Sequence, residues 1–288
     1  MSQKDRINLK DKMDKLCSTP ASRVAVNINK YENDHTKKVL KDYGRFVKQF
    51  EDFFDLLTRL VYKVNYIKKE TWHASKSIQF LIVAYSLETF NSSFDLLLKG
   101  HYGDSVILSR SIYESLIRVI YLSCYPDEGY SVFIKKRNGT KEFNLTGFLK
   151  EELKLDWEKY YSLMSAITHS KAYQIGLEVK KINDEGQKTP IGLQLKFDKK
   201  FLEIGINLLY FLLWTFLKTT LLLFVKAERQ QITPEFIKKS QEVEKALEEL
   251  FTSHPNKTWS NTRDDVNYIF NIIEEAEKGN DWKKLVPQ

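Results

Sequence analysis

Residues 39–64 read VLKDYGRFVKQFEDFFDLLTRLVYKV. Val39, Tyr43, Phe46, Phe50, Phe53, Leu57, Leu60 and Val64 recur at alternating steps of four and three. An α-helix turns once in about 3.6 residues, so these positions form one apolar stripe. Lys38, Lys41, Lys48 and Asp52 fall off it. The pattern predicts a helix packed against neighbours in a bundle rather than a dedicated coiled-coil arm.

The flanking sequence extends the same reading. Residues 72–98 predict a second helix, with Ile78, Leu81, Ile82, Tyr85, Phe94 and Leu97 as its buried face and Gly100 as a left-handed cap. A third helix is predicted from about Asp104 to Cys124, stopping before Pro126. The short connection makes the second and third antiparallel neighbours. A fourth is expected from near Leu155 to Tyr173. Residues 175–197 alternate apolar and polar side chains around Asn183-Asp184-Glu185-Gly186, which predicts a β-hairpin. A fifth helix runs from about Asp198 to Glu228, and its stretch 204–225 is almost wholly apolar. It is long enough to span a membrane. Lys218 within it and basic residues on both flanks favour a helix buried in the bundle centre, apolar all round. Thr233-Pro234 and Thr262-Arg263-Asp264-Asp265 predict the starts of two more helices, and Gly279 the end of the last.

The expected architecture is therefore mainly all-α: an antiparallel helical bundle over residues 31–229 with a small hairpin insertion. A leader over 1–30 and an accessory helical region over 230–288 flank it. Composition agrees. The 288 residues include 18 Phe, 15 Tyr and 5 Trp, enough to build a large core and to exclude disorder as the main state. Only 11 Gly and 6 Pro are present, too few turn residues for a propeller or a many-stranded sandwich. Cys17 and Cys124 form no pair at metal-ligand spacing and no disulfide framework. With a polar start, Met1-Ser2-Gln3-Lys4, they point to the cytoplasm. The net charge of +7 is uneven: residues 1–70 carry 16 basic against 10 acidic side chains, residues 226–288 carry 10 against 12. That balance permits contact with a polyanion without requiring it.

No Gly-rich phosphate loop, GxSxG, HExxH or paired histidines occur, the five histidines are scattered, and nothing calls for a metal or a cofactor. Two groupings carry possible chemistry. Arg110, Glu114 and Arg118 follow one another at steps of four on the third helix, which places the carboxylate within reach of both guanidinium groups. Such a ladder is either a structural ion-pair network or, if it faces the bundle interior, a fully paired network kept for specificity or function. Tyr160, Tyr161, Ser165, Thr168 and His169 line the fourth helix, with Ser165 and His169 one turn apart. An imidazole beside a hydroxyl serves either proton transfer or a core hydrogen bond.

The run Gly100-His101-Tyr102-Gly103-Asp104-Ser105, then Arg110-Ser111-Ile112-Tyr113-Glu114, resembles a widespread bacterial family with an Arg-Ser-x-x-Glu motif. Leu163-Met164-Ser165-x-x-Thr168-His169-Ser170 resembles its second motif, Leu-x-Ser-x-x-x-His. The likeness covers roughly residues 75–225. That family in turn distantly resembles the HEPN helical domains, many of which are metal-independent ribonucleases, toxins or phage-defence effectors acting as dimers. The resemblance implies His169 as general acid or base, Arg110 as the group facing a phosphoryl oxygen, Glu114 as its orienter, and Lys135, Lys136 and Arg137 as contacts to an RNA backbone. HEPN proteins carry an Arg a few residues before the His. Here none lies in the turns ahead of His169, so Arg110 or Arg118 has to reach it from the neighbouring helix. A homodimer is implied, a DNA-binding motif is not, and a membrane is disfavoured. Beside this stands a non-catalytic helical module that binds nucleic acid, a nucleotide or a protein.

Overall fold

The computed structural model describes residues 21–65, 72–127, 143–157, 160–162, 164–165, 197–226 and 258–287, with isolated positions between 234 and 245. The described residues are mostly helical and contain no strand. The hairpin expected at 175–197 lies, but for Phe197, outside them.

Helix α1 spans Ala21–Asn65, α2 Ala74–Leu98 and α3 Tyr102–Cys124. A short turn, α4, covers Leu145–Gly147 and continues as a π-helical turn over Phe148–Glu152. Helix α5 spans Lys199–Thr220 and widens into a π-helical stretch, Leu221–Lys226. Helix α6 spans Thr258–Glu277, followed by a 3₁₀ turn at Trp282–Leu285.

The α1 stripe behaves as its spacing requires: Val39, Phe50, Phe53, Leu57, Leu60 and Val64 are buried. The helix is broken at Tyr43 (φ −130°, ψ 17°), beside Gly44. Phe50 stacks on Phe94 of α2 at 4.0 Å and meets Tyr210 of α5 edge-on at 5.8 Å.

The α2–α3 pair is joined as expected. Gly100 adopts φ +88°. Its N–H donates to Leu97 O and that of His101 to Leu96 O, which satisfies the last carbonyls of α2. The expected buried face of α2 holds in part: Leu97 is buried and Ile82 and Phe94 pack against the core. Leu81 and Tyr85, however, are 50% and 71% exposed, while Ser75, Gln79, Ser86 and Ser93 are buried beside Phe80, Val83 and Phe90. Gln79 Nε2 donates to Val119 O (2.9 Å) and Ser123 Oγ (2.8 Å); Ser93 Oγ donates to Ser105 O (2.8 Å) and lies 3.1 Å from Ser109 Oγ. These partners fall in reverse order along α3, so the two helices run in opposite directions. Small hydroxyl side chains let them approach closely, and each polar group finds a partner, so burial carries no unpaired-group penalty.

Helix α5 is the hub, touching α1, α2, α3 and α6. Asp198 caps it, its carboxylate accepting from Lys200 N (3.0 Å) and Phe201 N (3.2 Å). Gly205 lets α2 come close: a Cβ there would lie 2.4 Å from Leu97 Cδ1. The stretch Lys199–Phe224 is the one helix among the described residues long and apolar enough to cross a membrane, and 72% of its apolar window is buried inside the protein. Lys218 Nζ rests 4.9 Å from the Trp214 ring centre and 5.4 Å from that of Phe270, an aromatic setting that suits a cation.

Helix α6 starts at Thr258, one turn before the capping pattern expected at Thr262, which therefore lies inside the helix. Its Val266, Ile269, Ile272 and Ile273 are fully buried in the same core as the other helices. Gly279 ends it with φ +75°.

Candidate functional site: an arginine held between two segments

Helix α3 has two faces. Ile112, Tyr113, Leu116, Ile117 and Ile120 are buried. The ridge opposite carries Arg110, Glu114 and Arg118, whose side chains are 17%, 24% and 34% exposed. Arg110 Nε donates to Glu114 Oε1 at 3.0 Å, and Arg118 Nη2 lies 3.5 Å from Glu114 Oε2. One carboxylate thus joins two guanidinium groups, as the four-residue spacing predicts.

Arg110 also reaches across to the 160s segment. Its Nη2 donates to the Tyr161 hydroxyl at 2.7 Å, and its guanidinium carbon lies 4.8 Å from that ring's centre. Trp157 sets this contact. It is fully buried, edge-on to Phe211 at 5.4 Å. Its carbonyl accepts from the Tyr113 hydroxyl (3.0 Å) and from the backbone N–H groups of Tyr160 (3.0 Å) and Tyr161 (3.3 Å). Burial raises the Tyr113 pKa well above the usual phenol value, so the hydroxyl remains the donor. The carbonyl of Trp157 therefore ties the start of the 160s segment to α3, and Tyr161 follows one turn on.

The helix start expected near Leu155 adjoins residues 158–159, which lie outside the described residues: Lys154 takes φ +54°, Asp156 and Trp157 form a turn, and Tyr160 is helical. Ser165 is half-buried, four residues beyond Tyr161. His169, Lys135, Lys136 and Arg137 lie outside the described residues. The structure thus gathers Arg110, Glu114 and Arg118 and adds Tyr161, to which the sequence assigned no role. The sequence placed Tyr161 in the second grouping, but nothing local linked it to Arg110, 51 positions away.

A second polar cluster sits at the start of α3. His35 of α1 is 4% exposed. Its Nδ1 lies 2.7 Å from Leu98 O and its Nε2 2.7 Å from the Tyr102 hydroxyl. A carbonyl only accepts, so Nδ1 carries the proton and Nε2 accepts from the phenol. The Tyr102 oxygen accepts in turn from Asp198 N (3.2 Å), and Leu98 O also accepts from Thr36 Oγ1 (3.1 Å). Burial lowers the His35 pKa below its usual value; Lys38 and His101 act in the same direction, against the Leu98 carbonyl. Burial also lifts Tyr102 to about 12. Beside this, His101 Nε2 pairs with Glu32 Oε1 at 2.8 Å. Sequence reading left these histidines scattered, because nothing local links His35 to residues more than sixty positions away.

Among the described residues no group of three or more His, Cys, Asp or Glu is placed to hold a metal ion. The chain matches no family model, no curated protein and no solved structure.

Proposed function

We propose that this chain handles RNA through the Arg110 ridge, as a cytoplasmic, HEPN-like, metal-independent ribonuclease or phage-defence factor. The architecture that goes with the reading is an antiparallel bundle with a hairpin at 175–197, assembled as a homodimer. The observation that supports it is the hydrogen bond from Arg110 Nη2 to Tyr161, which brings the guanidinium to the segment leading into His169. In this reading His169 takes the proton from a 2′-hydroxyl, whose oxygen attacks the adjacent phosphorus. The 5′-oxygen leaves with a proton from a second imidazole, supplied by the other protomer. Arg110, oriented by Glu114, faces the phosphoryl oxygens, where its planar fork suits the geometry. Lys135, Lys136 and Arg137 contact the RNA backbone.

A second reading, a non-catalytic module, is favoured by a specific observation: Arg110 already donates to Glu114 and to Tyr161 at rest. A ligand phosphate then exchanges for one of these partners and no bond is cut.

The test is end-labelled RNA incubated with the full chain in a chelator, alongside Arg110→Ala and His169→Ala, with melting followed in parallel. Cleavage lost in both folded variants supports the ribonuclease. Binding that weakens steeply with salt, without cleavage, leaves the module. Cleavage that persists in either folded variant overturns the catalytic roles, and absence of both binding and cleavage overturns the function.

A further inference from the structure

The two halves of α1 are held in different ways. Beyond the break at Tyr43, eight apolar side chains between Val47 and Val64 are buried in the core. Before it, among the side chains described from Ile28 to Asp42, only His35 and Val39 are buried. The upstream half therefore buries one apolar residue and one imidazole, whose position depends on a complete set of hydrogen bonds; its other contacts, Thr36 with Leu98 O, Glu32 with His101 and Lys38 over the Phe197 ring, are made by side chains that are not buried. The break gives it a hinge. Tyr43, whose hydroxyl donates to Glu203 Oε1 at 2.8 Å, fixes the boundary to α5.

We propose that residues 28–42 of α1 form an acid-releasable strap, held on the α2–α3 turn by the neutral His35 ring and freed when that ring takes up a proton. The neutral ring has one donor and one acceptor, and its site offers one acceptor and one donor. A proton on Nε2 turns the acceptor into a second donor. It then faces a Tyr102 oxygen that already receives Asp198 N–H, and the phenol proton loses its acceptor. Among the described residues no acidic group acts on the ring to offset the new charge. On α1, Lys38 adds a like charge and Glu32 is engaged by His101. On the turn, His101 adds another like charge, itself 3.9 Å from Asp104. On α3 stands the Tyr102 phenol. At the start of α5, the Asp198 carboxylate is occupied by Lys200 N and Phe201 N. The ring is also confined by Gly100, where a Cβ would come within 2.9 Å of His35 Cδ2, so it has no room to swing aside in place. A charge buried there is costly, so once the pH is below the ordinary histidine value the released ring, which takes the proton freely, gains over the docked one.

The experiment is hydrogen–deuterium exchange on the full chain at pH 7.5 and pH 5.5, corrected for intrinsic rates. Peptides within 28–42 are expected to exchange several-fold faster in acid, up to about tenfold, the most that one imidazole with an ordinary pKa of about 6.5 when released can contribute between these pH values, while those within 46–64 keep their protection. His35→Gln retains a donor and an acceptor and does not titrate, so its strap should show no acid response. His101→Gln should keep the response. A uniform loss of protection, no loss in the native chain, a response surviving in His35→Gln, or a response abolished in His101→Gln each overturns the proposal. Should His35→Gln undock at both pH values, nitrogen chemical shifts of the His35 ring in the native chain decide. They must titrate below the usual histidine value and in step with strap release; titration out of step overturns it.

Discussion

Helix α3 carries two polar clusters eight residues apart, and they are built on opposite principles. At Tyr102 the partners are neutral and sealed: His35 is 4% exposed and both ring nitrogens are bonded. At Arg110 they are charged and half-open, with side-chain exposures of 17% for Arg110 and 24% for Glu114. A sealed site gains stability only while every donor meets an acceptor, because no water stands in for a lost partner. A half-open ion pair exchanges partners with solvent or a ligand at little cost, and so contributes little to stability. The first cluster belongs to the fold, and the second is the one the proposed function assigns to a ligand.

Gly100→Val attacks the sealed cluster hardest. It places a β-branched side chain at φ +88° and drives its Cβ to within 2.9 Å of the His35 ring. A loss of about 3 kcal/mol is expected, combining left-handed strain with overpacking. Denaturant unfolding measures it, and a loss below about 1 kcal/mol would mean that the ring is not confined there. Tyr102→Phe removes a hydroxyl and strands both His35 Nε2 and Asp198 N–H, for about 2 kcal/mol. The same change at the exposed phenol of Tyr85 should leave stability nearly unaltered.

Less is expected from pH alone. Burial lowers the folded-state pKa of His35, so below the ordinary histidine value the unfolded chain binds the proton more readily than the folded one. The contribution of His35 is therefore complete above about pH 6.5 and is lost as pH falls toward the lowered folded value. Unfolding curves between pH 7.5 and 5.5 should show native stability declining, and His35→Gln should flatten that part of the decline. An unchanged slope in the variant would place the titrating group elsewhere.

The contrast between the clusters also explains what the sequence could tell. The α1 stripe and the Arg110–Glu114–Arg118 ladder are local patterns, fixed by helical periodicity, and both stand in the structure as spaced. On α2, Leu97 is buried as expected, but Leu81 and Tyr85 were misplaced because hydrophobicity ranks them above Ser86 and Ser93. Packing instead prefers small hydroxyls that satisfy themselves on carbonyls: Ser86 on Ile82 O of its own helix, Ser93 on Ser105 O of the next. The His35 cluster and the Arg110–Tyr161 bond join residues 51 to 67 positions apart, and no periodicity carries that information. The link between Arg110 and His169 rests on residues outside the described set and is carried by the proposed function alone.

The smallest stability effect belongs to the half-open cluster, and it is the one that separates architecture from function. Glu114→Gln removes the charge between Arg110 and Arg118 while keeping an amide oxygen that can accept from Arg110 Nε. Because the group is partly solvated, the stability change should stay within about 1 kcal/mol. Ligand binding should change far more, and in a direction set by what Glu114 does. If it chiefly neutralises the ridge, the variant binds RNA more tightly and its affinity falls more steeply with salt, since two guanidinium groups are released to phosphate. If it chiefly orients Arg110, binding holds while cleavage drops, because an unaimed guanidinium no longer meets the developing charge. A variant that unfolds by several kcal/mol would instead make the ladder part of the fold, and the distinction between the two ends of α3 would disappear.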